Sequence, residues 1–160
     1  MRRLSLILLC VLLLAVPVPA AADDLTGLFP ASVGPLERVR LVTGAEAHAE
    51  VDRLHGKSLP AEASAIARYA EEGGRPAEAW VSRVSSGMEA RRQTGLMVHK
   101  MFENPQSPFG RPSRRDYRGM AVYRFTGMGQ VHLIWCSDDL VWWVSANPAL
   151  ESAFLDALCR

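Results

Sequence analysis

The sequence predicts an α+β domain: an antiparallel sheet of about six strands with two or three helices packed on one face. Three observations predict it. Short apolar runs alternate with polar residues and are joined by glycine-rich turns too short for parallel crossovers. Two longer stretches carry apolar residues at helical spacing behind capping signals. The order of elements, strand, helix, two strands, helix, three strands, helix, keeps adjacent strands neighbours in one sheet.

Residues 23–36 hold prolines, glycines and the apolar anchors Leu25, Leu28, Phe29 and Val33, and read as an extended lead-in to a single domain over 37–160. Val39 and Leu41 alternate with Arg38 and Arg40, a strand. Thr43 and Glu46 form a capping box, and Ala47, Val51 and Leu54 set a helical stripe from Gly44 to His55, stopped by Gly56. Residues 63–70 and 77–84 flank a Gly73-Gly74 turn as a hairpin. Ser86 and Glu89 form a second capping box, and Ala90, Thr94, Met97, Val98, Met101 and Phe102 continue the helix to about Glu103.

Asn104 to Gly119 has three prolines and no apolar period. It reads as a long loop, of the kind that serves binding or closure. Strands follow at 120–126, 131–136 and 140–145, and Asn147, Pro148 and Glu151 open a last helix. Ala79-Trp80-Val81-Ser82 and Trp142-Trp143-Val144-Ser145 each end a hairpin before a helix, which suggests an internal hairpin–helix duplication.

The chain starts with Met1-Arg2-Arg3, a largely apolar run from Leu4 to Val16, and small residues to Ala22. This is the three-part plan of a secretory signal peptide, too short to span roughly 30 Å of hydrocarbon. Cleavage after Ala22 is expected, with a periplasmic or secreted domain of a bacterium as the product and no membrane span left in it. Loss of Arg2 and Arg3 turns the formal charge of +1 into about −1, which argues against nucleic acid as partner. Of three cysteines, Cys136 and Cys159 remain, and in an oxidising compartment the default expectation is a disulfide between them, with two buried thiols as the alternative.

Chemistry is sparse. No G-x-S-x-G, H-E-x-x-H or P-loop is present, and nothing calls for a cofactor. Arg111, Arg114, Arg115 and Arg118 crowd the long loop, where guanidinium groups suit a small anionic ligand. Trp142 and Trp143 point to opposite faces of a strand, so one of them can offer an aromatic platform to a ligand or an envelope protein. His48, Asp52 and His55 share a helix stripe as candidate metal ligands, although the two histidines stand roughly 10.5 Å apart along the axis.

Phe29-Pro30-x-x-Val33-Gly34, Leu54-His55-Gly56, Ala67-Arg68-Tyr69 and Ser85-Ser86-x-x-x-Ala90 resemble segments of uncharacterised exported bacterial proteins of the domain-of-unknown-function kind. The resemblance implies an exported α+β domain and brings no catalytic residues. The expected function is an exported, non-enzymatic binding or interaction domain. An envelope enzyme or metal-dependent factor using His48, Asp52 or His55 is the alternative.

Overall fold

The structure, a computed structural model, describes residues 24–160 apart from the side chain of Arg111; the expected signal peptide lies outside the described residues. Strands β1 (Ser32–Val33), β2 (Leu36–Thr43), β3 (Ala63–Ala70), β4 (Ala77–Arg83), β5 (Gly110–Tyr117), β6 (Met120–Gly127), β7 (Gln130–Ser137) and β8 (Leu140–Ala146) form one sheet. Its order is β1-β2-β3-β4-β8-β7-β6-β5, and every pairing is antiparallel. Helices α1 (Gly44–His55), α2 (Gly87–Glu103) and α3 (Glu151–Leu158) complete the α+β fold.

The sheet has eight strands rather than six. The two extra strands are the outermost: β1 is two residues long, and β5 occupies half of the stretch read as a loop. Strand β5 is Gly-Arg-Pro-Ser-Arg-Arg-Asp-Tyr, an edge strand with proline and charge in place of apolar alternation. Such residues blunt an edge against further pairing, and they also erase the strand signal.

Helices cover both faces of the sheet, not one. Ala65, Ala67 and Tyr69 of β3, Ala79 and Val81 of β4, Leu133 and Trp135 of β7, and Trp142 and Val144 of β8 face α3 and the lead-in. Their neighbours Ile66 and Trp80 meet α1, and Ile134 and Trp143 meet α2, on the opposite face. Alanines on β3 and β4 let α3 come close, so that Phe154 meets Tyr69 edge-on at 5.6 Å. Burial pushes the Tyr69 phenol up to about 12, and its hydroxyl donates to the Pro30 carbonyl, tying down the lead-in.

Local signals set most element ends. The Ser86 hydroxyl caps α2 by accepting from Glu89 N at 3.2 Å, and Gly56 ends α1 at φ 64°. Thr43 makes no side-chain cap, and its expected box partner Glu46 binds Arg40 instead. Asn147 caps a 3-10 turn, Pro148–Leu150, that precedes α3.

Cys136 and Cys159 are free thiols, not a disulfide. Strand alternation puts Cys136 with Ile134 on the α2 face, whereas Cys159 lies in the core on the α3 face. The sheet separates them, and burial raises the Cys159 thiol to about 11. The expected hairpin–helix duplication also stops at the strands. Trp80 pairs with Trp143 across the β4–β8 seam, but α2 crosses one face and α3 the other. A two-fold axis through that seam would keep both helices on one face.

Candidate functional site

Face alternation divides the predicted arginine cluster. Arg115 points to the α3 face and binds Glu151 at 2.9 Å, while Arg118, in the turn after β5, binds Asp156 at 3.1 Å. Asp156 also accepts from the Tyr117 hydroxyl, a bond that raises the Tyr117 pKa. Those arginines fasten the sheet edge to α3. Arg114, opposite Tyr123 in the β5–β6 register, emerges on the α2 face, where Asp116 of its own strand lies at 3.4 Å. The Arg111 side chain lies outside the described atoms.

Beside Arg114 a groove of about 430 Å³ runs between α2 and the β5–β6 edge, within the roughly 300–1,000 Å³ of small-molecule sites. Tyr123 and Phe125 form its floor, Val98 and Phe102 its helical wall, and Arg114 and His99 stand at its rim. Helix α2 buries Ala90, Thr94 and Met101 on its inner stripe. At about 100° per residue Phe102 therefore falls on the flank, where it is 67% exposed despite its place in the expected core stripe.

The tryptophans do not form an open platform. Trp142 is buried, stacked on Trp135 with ring centroids 5.4 Å apart and capped edge-on by Phe29 at 5.7 Å. Trp143 is half-buried beneath Phe109, 5.5 Å away, between its cross-strand neighbours Trp80 of β4 and Ile134 of β7. Trp80 was legible in the repeated Trp-Val-Ser pattern but carries no weight as a site by that signal alone.

Three polar groups under Phe109 form a chain. Trp143 Nε1 donates to Ser145 Oγ at 2.7 Å, Ser145 Oγ lies 2.8 Å from His132 Nδ1, and His132 Nε2 lies 3.2 Å from the Gly127 carbonyl. The carbonyl can only accept, so Nε2 carries the proton and Nδ1 accepts from Ser145. Burial lowers the His132 pKa, Arg75 in the β3–β4 turn adds to the effect, and the Gly127 bond opposes it. Glu78 lies one strand further along the same row, opposite Ser145.

A depressed histidine refuses the proton that the unfolded chain accepts near 6.5. Its contribution to stability is complete above that value and falls as pH drops below it. Urea unfolding between pH 7.5 and 5 is expected to show a steeper loss for the native chain than for His132→Gln. Equal slopes would remove His132 from the account.

On α1 the expected metal ligands do not converge. His48 Nε2 approaches Asp52 Oδ2 at 3.7 Å at the edge of a second groove, while His55 Nδ1 turns back to the Val51 carbonyl at 2.8 Å. Among the described residues no three His, Cys, Asp or Glu side chains are placed to hold a metal ion. No described helix is long and apolar enough to cross a membrane.

Fold and site together define an antiparallel α+β domain, sheathed on both faces, with an amphipathic groove at one sheet edge. No family model and no curated protein matches the chain. Among solved structures it is similar to a GTP binding regulator from Thermotoga maritima, at 14% identity over 78% of this chain and 76% of that one, with a TM-score of 0.49.

Proposed function

We propose that the chain is an exported, non-enzymatic binding domain whose ligand is a small amphiphile with one anionic end, held in the groove between α2 and the β5–β6 edge. The observation that carries this is the placement of Arg114 at the mouth of a groove with Phe102, Val98, Tyr123 and Phe125 inside. Arg115 and Arg118 are engaged with α3, whereas Arg114 stands half-exposed over an apolar trough. An alkyl or aryl body gains from leaving water along that trough, and a carboxylate or phosphate end gains a charge-assisted hydrogen bond from the guanidinium. Export rests on the arrangement of Met1 to Ala22.

Calorimetric titration with decanoate tests the ligand class. Arg114→Ala is expected to weaken binding about tenfold, in line with loss of one charge-assisted bond of about 1.4 kcal/mol, and to leave the fold intact. Binding unaffected by Arg114→Ala, or none to the native chain, overturns the assignment. Expression of the full chain in a bacterium checks export: the envelope fraction is expected to hold protein beginning at residue 23, and intact cytosolic protein contradicts it.

A further inference from the structure

We propose that Phe109 is a displaceable stopper at the inner end of the groove, so that a ligand tail longer than the groove takes the place of its ring over His132 and Trp143. The inference rests on the groove being the ligand site, and it adds what sets the length of ligand accepted.

Continuity of the apolar surface is the first ground. Phe109 packs in one cluster with Val98, Tyr123 and Phe125, which also line the groove. Its ring lies 4.7 Å from His132 and 5.5 Å from Trp143, and His132 pairs across the strands with Phe125. Phe109, His132 and Trp143 lie just beyond the groove lining, and the side-chain row of its floor continues from Phe125 to His132 beneath the ring. An alkyl chain that displaced it would exchange one apolar contact for another, at little cost in exposed surface.

The second ground is how loosely the backbone beneath the ring is held. Asn104 Oδ1 accepts from Gln106 N at 2.9 Å, the Asn104 carbonyl from Ser107 N at 2.9 Å, and Ser107 Oγ from Phe109 N at 3.2 Å. These bonds close within residues 104–109, so the segment can swing without breaking the sheet ladder. Attachment to β6 begins at the Gly110 carbonyl, which accepts from Thr126 Oγ1 at 3.2 Å.

The third is a glycine that the seated position requires. A Cβ on Gly127 would meet the Pro108 carbonyl oxygen at 2.5 Å and the Phe109 ring at 3.2 Å. Both neighbours belong to the stopper segment. Gly127→Ala therefore pushes the segment outward and leaves Phe109 itself unchanged, whereas Phe109→Ala removes the ring and leaves the segment.

Titrations with decanoate and hexadecanoate on the native chain, Phe109→Ala, Gly127→Ala and Arg114→Ala test the proposal, with circular dichroism confirming that each variant folds. Phe109→Ala and Gly127→Ala are each expected to tighten hexadecanoate about tenfold and to change decanoate less than twofold. If decanoate binding depends on Arg114 but hexadecanoate affinity stays unchanged in both stopper variants, the stopper is wrong and the groove stands. If neither acid binds in an Arg114-dependent way, the groove fails and takes the stopper with it. A ligand-free readout is independent of both acids. The His132 ring resonance is expected to titrate nearer the ordinary histidine value in Phe109→Ala, which leaves the Gly127 carbonyl bond to His132 in place while water reaches the ring. An unmoved midpoint in that variant also overturns the proposal.

Discussion

Trp135→Ala is expected to lower the unfolding free energy by about 3–5 kcal/mol, the usual cost of emptying a buried aromatic site. Trp135 is fully buried, and its indole lies against Trp142 at an interplanar angle of 6°. Trp142 in turn carries Phe29 of the lead-in, so one truncation loosens a stack that reaches from β7 to the amino-terminal segment. The floor of the vacated site is hydrogen-bonded sheet, which resists collapse into it. Against a total stability of about 5–15 kcal/mol for an ordinary domain, such a loss removes between about a fifth and the whole of the margin.

Trp135→Phe separates packing from polarity. It keeps a ring in the stack and removes an indole N–H that meets no acceptor among the described residues. Deleting an unpaired buried donor offsets part of the lost contact. The phenylalanine variant is therefore expected to cost clearly less than the alanine one in urea unfolding followed by circular dichroism. Equal costs, or an alanine effect below about 1 kcal/mol, would show that the stack does not hold the lead-in to the sheet.

Much of the architecture was legible because its signals are local. The α1 range Gly44–His55 and the β3 range Ala63–Ala70 match the spacing, the Gly56 stop and the glycine turn, although the expected N-terminal box on α1 does not form. The second helical face was missed, although a signal for it was present. Ala65, Ile66 and Ala67, and all of Val131 to Trp135, are consecutive buried positions rather than alternating ones. Continuous apolar runs mark strands covered on both sides, and they require helices on both faces. Strand β5 carried no such signal, because it is an edge strand paired only with β6, and its outlying side chains meet charged residues of α3, as in Arg115 with Glu151 and Tyr117 with Asp156.

The site was half legible for a related reason. Arginine in a proline-rich stretch drew attention to Arg114, but only the strand register distinguishes it from Arg115. Phe102 looked like a core residue from helical spacing, and Tyr123 was one position in a strand with no site signal. Their role at the groove follows from how far α2 overlaps the sheet edge, which no local pattern encodes.

Arginines that hold the fold and the arginine assigned to the ligand separate in one experiment centred on Glu151. Its carboxylate is 13% exposed and receives Arg115 Nη2 at 2.9 Å and Arg124 Nε at 2.8 Å. Glu151→Ala leaves two guanidinium groups facing each other with no counter-charge. A fully buried pair broken this way costs about 3–5 kcal/mol, but Arg115 is 45% exposed, so solvent screening reduces the expected loss to about 2 kcal/mol. Glu151→Gln keeps one acceptor and is expected to fall between. The native chain is expected to lose part of the difference as sodium chloride screens the triad, whereas Glu151→Ala gains or stays level. Arg114→Ala, measured alongside, is expected to leave stability within about 0.5 kcal/mol while weakening decanoate binding. An unaffected Glu151→Ala together with a destabilised Arg114→Ala would reverse the two roles: Arg114 would then be the structural residue, and the groove would lose its anion contact.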